Sequence, residues 1–220
     1  MKFILFCILT SLSFQSQASS NCKKLYPNET VYSISNTIEL CNTFYVNLYN
    51  QSEKAVIVSF ELIQYKTIRV SRSNDFKHDE RLNQNQRAEL NDYLHSGYDR
   101  GHMTPANDAT TSKEMSETFL LSNMTPQNKR LNEIAWKNLE EKIRASANGK
   151  TYVMTAAKYD TSVKTIGLNH IPVPSGYYKC AWYDVKTPIC YFALNTSDAV
   201  IKEVPFDVVF KTIGLKKELK

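Results

Sequence analysis

An arginine and a histidine stand two residues apart at Arg100-Gly101-His102. A guanidinium offers a rigid fork of donors that matches the oxygens of a phosphate. Histidine is the side chain most readily held neutral near pH 7, where it can take a proton. The glycine between them lets the backbone bend closely. Together these types point to phosphoryl transfer, with arginine on the phosphate and histidine on an attacking water. A lone histidine beside a glycine is more often a turn or core residue, so the pair gains its weight from the sequence around it.

That surrounding string is Ser96-Gly-Tyr-Asp-Arg-Gly-His-Met-Thr-Pro-Ala-Asn-Asp108, and a second block runs from Phe119 through Asn123, Asn132 and Trp136 to Glu140. The first closely resembles the signature of the DNA/RNA non-specific endonuclease family, the Asp-Arg-Gly-His nucleases. The second resembles that family's other block at the expected distance. The resemblance implies a catalytic set of His102, Arg100, Arg72, Asn123 and Glu140. His102 is the implied general base. Asn132 is the implied direct ligand of one Mg²⁺, for which Mn²⁺ may substitute, and Glu140 reaches the ion through water. Asn123 orients the site and contacts the phosphate region. Arg100 and Arg72 neutralise the pentavalent transition state. Arg72 is chosen because Arg72, Phe76 and Asp79 fit the family's Arg-x-x-x-Phe setting, with Arg69 as the competitor. Asp99 is kept structural. The implied products carry 5′-phosphate ends, and the implied partners are DNA and RNA as substrates.

The elements that must position these residues can be read in outline. Lys54–Tyr65 is the clearest strand, nearly continuous in apolar character and therefore expected inside a sheet. Phe44–Tyr49 and Thr151–Ala157 read as further strands, and Tyr177–Tyr183 with Ile189–Leu194 as an antiparallel pair. The polar stretch from Ile68 to Asp79 reads as a loop. Gln84–Leu94 favours a short helix with Ala88, Leu90 and Leu94 on its buried face, stopped by Gly97. Thr110–Met115 reads as a loop or helical turn. His102 is expected near the end of a strand, because Pro105 disfavours helix before it. Thr118–Met124 reads as a strand ended by Pro126, followed by a helix over Lys129–Ala147. On that helix Asn132, Trp136 and Glu140 are spaced i, i+4, i+8, which leaves Asn132 and Glu140 roughly 80° out of line on one broad side. By spacing alone, Glu140 reads as a solvated helix residue and Asn132 as a cap. The expected class is α+β, a central antiparallel sheet flanked by helices with a ββα-metal motif at the site.

The chain begins with Met1-Lys2 and an apolar run from Phe3 to Leu9, with Ser16 and Ala18 where a signal peptidase favours small residues. The expectation is a signal peptide over 1–18, a single domain over 19–220, and a secreted or periplasmic location in a bacterium. Asn123-Met124-Thr125 is formally a glycosylation sequon inside the site, which also favours a bacterial source. The apolar run is short for a membrane span, and no later stretch is long enough, so no stable membrane association is expected after cleavage. A net charge of +5 suits a polyanionic partner without requiring one. The expected disulfides are Cys22–Cys41 and Cys180–Cys190, each closing a short loop in an oxidising compartment. Zinc is disfavoured because no Cys-x₂-Cys spacing exists, and a zinc protease or phosphatase because His-Glu-x-x-His is absent. An inactive nucleic-acid-binding module on the same fold is the alternative to the enzyme. Monomer and homodimer both stay open.

Overall fold

The computed structural model describes residues 20–64, 70–183 and 187–218. The expected leader and the competing Arg69 lie outside the described residues. In chain order, a short helix α1 (Ser20–Lys23) and a two-residue strand β1 (Tyr32–Ser33) precede β2 (Ile38–Cys41), β3 (Tyr45–Asn50) and β4 (Ala55–Gln64). A long excursion then carries α2 (Leu90–Tyr93), β5 (Asp99–His102), α3 (Ser112–Thr118), β6 (Met124–Gln127), a π-helical turn over Leu131–Trp136 and α4 (Lys137–Ser146). β7 (Lys150–Lys158) follows, then the small pair β8 (Thr165–Ile166) and β9 (Ile171–Pro172). β10 (Gly176–Tyr183), β11 (Ile189–Leu194), β12 (Lys202–Val204), α5 (Phe206–Thr212) and β13 (Lys216–Lys217) complete the described chain. β13 pairs with β1.

Seven strands form one antiparallel sheet in the order β12-β11-β10-β7-β4-β3-β2. The α+β class with a central antiparallel sheet is as expected. β4 lies inside it, between β7 and β3, which suits its β-branched and aromatic composition. Each face of the sheet buries its own core. On one face Val46, Val58, Phe60, Met154 and Trp182 meet Leu25, Tyr26 and Tyr32 from the N-terminal segment and Val209 of α5. Both expected disulfides are present on this side. Cys22 joins Cys41, and Cys180 joins Cys190, its direct partner in the β10–β11 register. On the other face Leu40, Tyr49, Val153, Tyr177 and Ala181 meet Leu131, Trp136, Leu139 and Ile143 from the π-turn and α4.

A polar row crosses this second face. The register sets Lys179 of β10 opposite Thr155 of β7, Thr155 opposite Ser59 of β4, and Ser59 opposite Asn47 of β3. All four are buried. Buried polar groups cost free energy unless bonded, so their partners matter. Lys179 Nζ donates to Thr155 Oγ1 at 2.6 Å. Ser59 Oγ and Thr104 Oγ1 share a hydrogen bond at 2.6 Å, and Asn47 Nδ2 donates to the Ser122 carbonyl at 3.0 Å. Thr104 and Ser122 both belong to the excursion. The row therefore docks the excursion onto the sheet.

Two local expectations need correction. Thr118–Met124 is not a strand: α3 ends at Thr118, a 3₁₀ turn occupies Leu121–Asn123, and β6 begins at Met124 and runs through Pro126. Phe119 and Leu121 are apolar because they anchor that turn in the core, not because they alternate across a sheet. Pro126 is tolerated because β5 and β6 form a two-stranded ribbon, and its carbonyl accepts from Tyr177 Oη and Asn195 Nδ2. The expected helix over 84–94 splits into a 3₁₀ turn, Gln84–Gln86, and α2, with Arg87 extended between them. The split rotates the pattern: Ala88, Asp92 and Tyr93 are buried, whereas Leu90 and Leu94 are exposed.

Candidate active site

β5 and β6 pair in register with Gly101 opposite Thr125 and His102 opposite Met124. Gly101 is there for room rather than for an unusual bend. Its φ is ordinary, and a Cβ would come within 2.3 Å of Gln127 Oε1 and 2.5 Å of Gln127 Cβ. Alternation along the strand sends Arg100 and His102 to the same side. The His102 ring lies 5.1 Å from the ring of Phe119, edge to face, and 5.9 Å from that of Phe76. The same two rings carry the arginines. The Arg100 guanidinium sits 4.1 Å from the Phe76 centroid, and that of Arg72 sits 4.9 Å from the Phe119 centroid. Arg72, Arg100 and His102 thus converge as expected.

Loss of hydration pushes the His102 imidazole down to about 3, and the positive charges of Arg72 and Arg100 push the same way. The ring is neutral at pH 7. Its Nε2 is buried and has no hydrogen-bond partner among the described residues.

The loop that presents Arg72 is tied down at both ends of the family-like pattern. Arg72 Nε donates to Asn74 Oδ1 at 2.8 Å. Phe76 forms part of the wall beside His102. Asp79 is buried and accepts from Arg81 Nη2 and Ser122 Oγ, each at 2.6 Å, and Arg81 holds its carboxyl below the usual range against the opposing effect of burial. Lys77 adds backbone bonds to Phe119 and Leu121.

Asn123 is fully buried. Its Oδ1 accepts from the Thr104 N–H at 3.0 Å, and its Nδ2 donates to the carbonyls of Thr104 and Thr118 at 2.9 and 3.0 Å. The expectation that it contacts phosphate is not met, because the amide is spent on backbone and hidden from any substrate. What Asn123 does is fix the chain just after His102 to the turn before β6.

Asn132 sits in the π-turn, half-buried, with Asn128 Oδ1 accepting from the N–H groups of Arg130 and Leu131 just before it. Its Nδ2 donates to Asp99 Oδ2 at 2.9 Å. A carboxylate only accepts, so the amide nitrogen must face Asp99 and the amide oxygen is turned away from it. A π-turn rotates less per residue than an α-helix, which reduces the misalignment expected between Asn132 and Glu140. Glu140, on α4, pairs through Oε1 with Lys179 Nζ at 3.4 Å. Burial raises its carboxyl, with the Lys179 charge opposing. Glu61 and Asp108 lie in the same charged cluster, and burial raises both. Arg144 pairs with Asp108.

This donor set suits one kind of ion. Asn132 offers a neutral, hard oxygen in an orientation fixed by Asp99, and Glu140 adds a carboxylate. No group of three or more His, Cys, Asp or Glu gathers as a metal site among the described residues. A hard cation that keeps most of its water, such as Mg²⁺ or Mn²⁺, fits one protein oxygen and one carboxylate; zinc does not.

The polar row of the sheet went unread in the sequence. Its signal is a polar residue inside each apolar run: Asn47 in Phe44–Tyr49, Ser59 in Val56–Leu62, Thr155 in Thr151–Ala157 and Lys179 in Tyr177–Tyr183. Phe119 likewise reads as ordinary core until the structure sets it against His102.

Comparison with known proteins places these features in a wider group. A model of the DNA/RNA non-specific endonuclease family matches residues 23–203. The human protein named "Endonuclease G, mitochondrial" is 33% identical over 159 residues, covering 61% of this chain and 51% of that protein. The Syncephalastrum racemosum protein named "Nuclease" is 36% identical over 128 residues, covering 49% and 40% respectively. The chain spans about half the length, or less, of these relatives. A solved crystal structure of an EndoG/EndoGI complex superimposes with a TM-score of 0.72 at 29% identity, covering 81% of this chain and 84% of that one.

Proposed function

This chain belongs to the DNA/RNA non-specific endonuclease family, and on that premise we propose that it hydrolyses phosphodiester bonds in both DNA and RNA with the help of a divalent cation. The observation that carries the reading is the neutral His102 imidazole set between two phenylalanine rings that each hold an arginine. His102 takes a proton from the attacking water. We assign Nδ1 as the accepting atom, because Nε2 is sealed from solvent. Arg72 and Arg100 bind the phosphate and stabilise the charge that grows on it. Asn132 would hold the cation directly and Glu140 through water. A Mg²⁺ ion bound there, or Mn²⁺ in its place, would supply Lewis-acid stabilisation of the charge that develops in the reaction. Products then carry 5′-phosphate and 3′-hydroxyl ends. Asn123 and Asp99 position the groups that react.

The contacts assigned are to phosphate and cation, so base preference should be weak and binding should fall with salt. The apolar run at Phe3–Leu9 and the small residues at Ser16 and Ala18 support export to a periplasm or to the medium. The deciding assay is cleavage of double-stranded DNA, single-stranded DNA and RNA in Mg²⁺, in EDTA, and in EDTA with Mg²⁺ restored. Cleavage of all three that is lost and regained with the ion is the expected result. Binding without cleavage in every condition would make the protein an inactive module on this fold.

A further inference from the structure

Lys179 takes no part in the reaction just described, yet it is 1% exposed. Removing an ammonium from water is costly unless its partners are well placed. It has three. Thr155 Oγ1, directly across the β7–β10 pair, accepts from Nζ at 2.6 Å. Glu140 Oε1 lies at 3.4 Å, and the Trp136 ring centroid lies at 5.4 Å. The other cation of the cluster, Arg144, is engaged with Asp108. Among the described residues, Lys179 is therefore the cation that touches Glu140.

Glu140 stands at the half-buried edge of α4, where a flexible carboxylate could turn outward to water. An ammonium anchored on the central sheet removes that freedom. We propose that Lys179 is a positioning residue for the cation site: clamped by Thr155, it holds the Glu140 carboxylate in the orientation that receives the ion's water shell. This rests on the assignment of Glu140 to that shell. A lysine that merely neutralised the core would affect stability but would not act on metal affinity through Glu140.

The test uses Mn²⁺ alone as the probe, with free Mn²⁺ counted by electron paramagnetic resonance and folding checked by near-UV circular dichroism. Lys179→Met should weaken Mn²⁺ binding roughly 10- to 100-fold, as loss of a group supporting a metal ligand does. Adding Lys179→Met to a Glu140→Gln protein should bring no further loss. Thr155→Val, which removes the clamp but keeps both charges, should weaken binding in the same direction and by less; it decides the matter if Lys179→Met does not fold. The Michaelis constant for DNA at saturating Mn²⁺ should stay unchanged. Wild-type Mn²⁺ affinity in the folded variants would overturn the proposal, as would an equal loss in the Glu140→Gln background. A wild-type protein that binds no Mn²⁺ would remove the assignment of Glu140 and this proposal with it.

Discussion

Phe76 and Phe119 each touch two residues of the site, an arginine and His102. The shared walls bring two positive charges near an imidazole with little water around it, and both effects hold the ring neutral. His102→Ala should therefore cut turnover by roughly 10²- to 10⁴-fold, the usual worth of a positioned base. Substrate binding at low salt should persist, because the arginines remain; equal losses in affinity and rate would argue against a base. The pH dependence follows from the direction of the shift. With the free-enzyme imidazole pushed down to about 3, kcat/KM should hold through pH 6.5 and fall only well below it. A bound phosphate adds negative charge beside the ring, so the acidic limb of kcat should lie nearer neutrality than that of kcat/KM. The same group bears on stability. Below about pH 6.5 the unfolded chain takes a proton that the folded chain refuses, so this residue's contribution is present above that pH and is lost on acidification towards 3. A kcat/KM limb at 6.5 would mean that the ring is hydrated in solution.

At the level of elements, the second sequence block was legible in its residues but not in its shape. Its polar positions carry the resemblance, whereas Phe119-Leu120-Leu121 has the composition of a strand and folds as a turn. Local propensity lost there to the need to bury Phe119 and Leu121 against separate neighbours. Asn123 shows the same limit. Its type and place suggested a phosphate contact, and only the structure reveals three bonds to backbone. Asn123→Ala should strand three buried backbone groups, each worth about 1–3 kcal/mol. Urea unfolding should register a loss of several kcal/mol, with activity falling alongside it. An unchanged stability with activity abolished would return Asn123 to the substrate. Five strands of the sheet, β3, β4, β7, β10 and β11, were readable because β-branched and aromatic runs say the same thing at every level, whereas the short edge strands β2 and β12 carry no such run. The helix that carries Asn132 and Glu140 was readable in extent but not in its π-turn, since no composition distinguishes that turn from ordinary helix.

Across the whole molecule, the sheet separates two cores, with both disulfides on one side and the site on the other. Each bridge closes a short loop and should contribute about 3 kcal/mol. Reduction should therefore lower the melting temperature while leaving kcat unchanged wherever the protein stays folded. A reduced protein that is folded but slow would show coupling across the sheet. The topology has a consequence for how the molecule comes into being. β4 and β7 are neighbours in the sheet, and the entire site, from Arg72 to Glu140, lies in the chain between them. A nascent polypeptide therefore contains every residue of the proposed site before β7 and β10 have been translated. At roughly 5–20 residues per second, the strands bearing Thr155 and Lys179 trail by seconds. During that interval the site has only the β3–β4 half of its platform, where Asn47 and Ser59 bond Ser122 and Thr104, and lacks the half that carries Thr155 and Lys179. A chain stopped before β7 should accordingly leave plasmid DNA intact in Mg²⁺, although it contains His102, Asn132 and Glu140. On the proposed function, a cell making such a protein would meet nuclease activity only once β7 and β10 have left the ribosome.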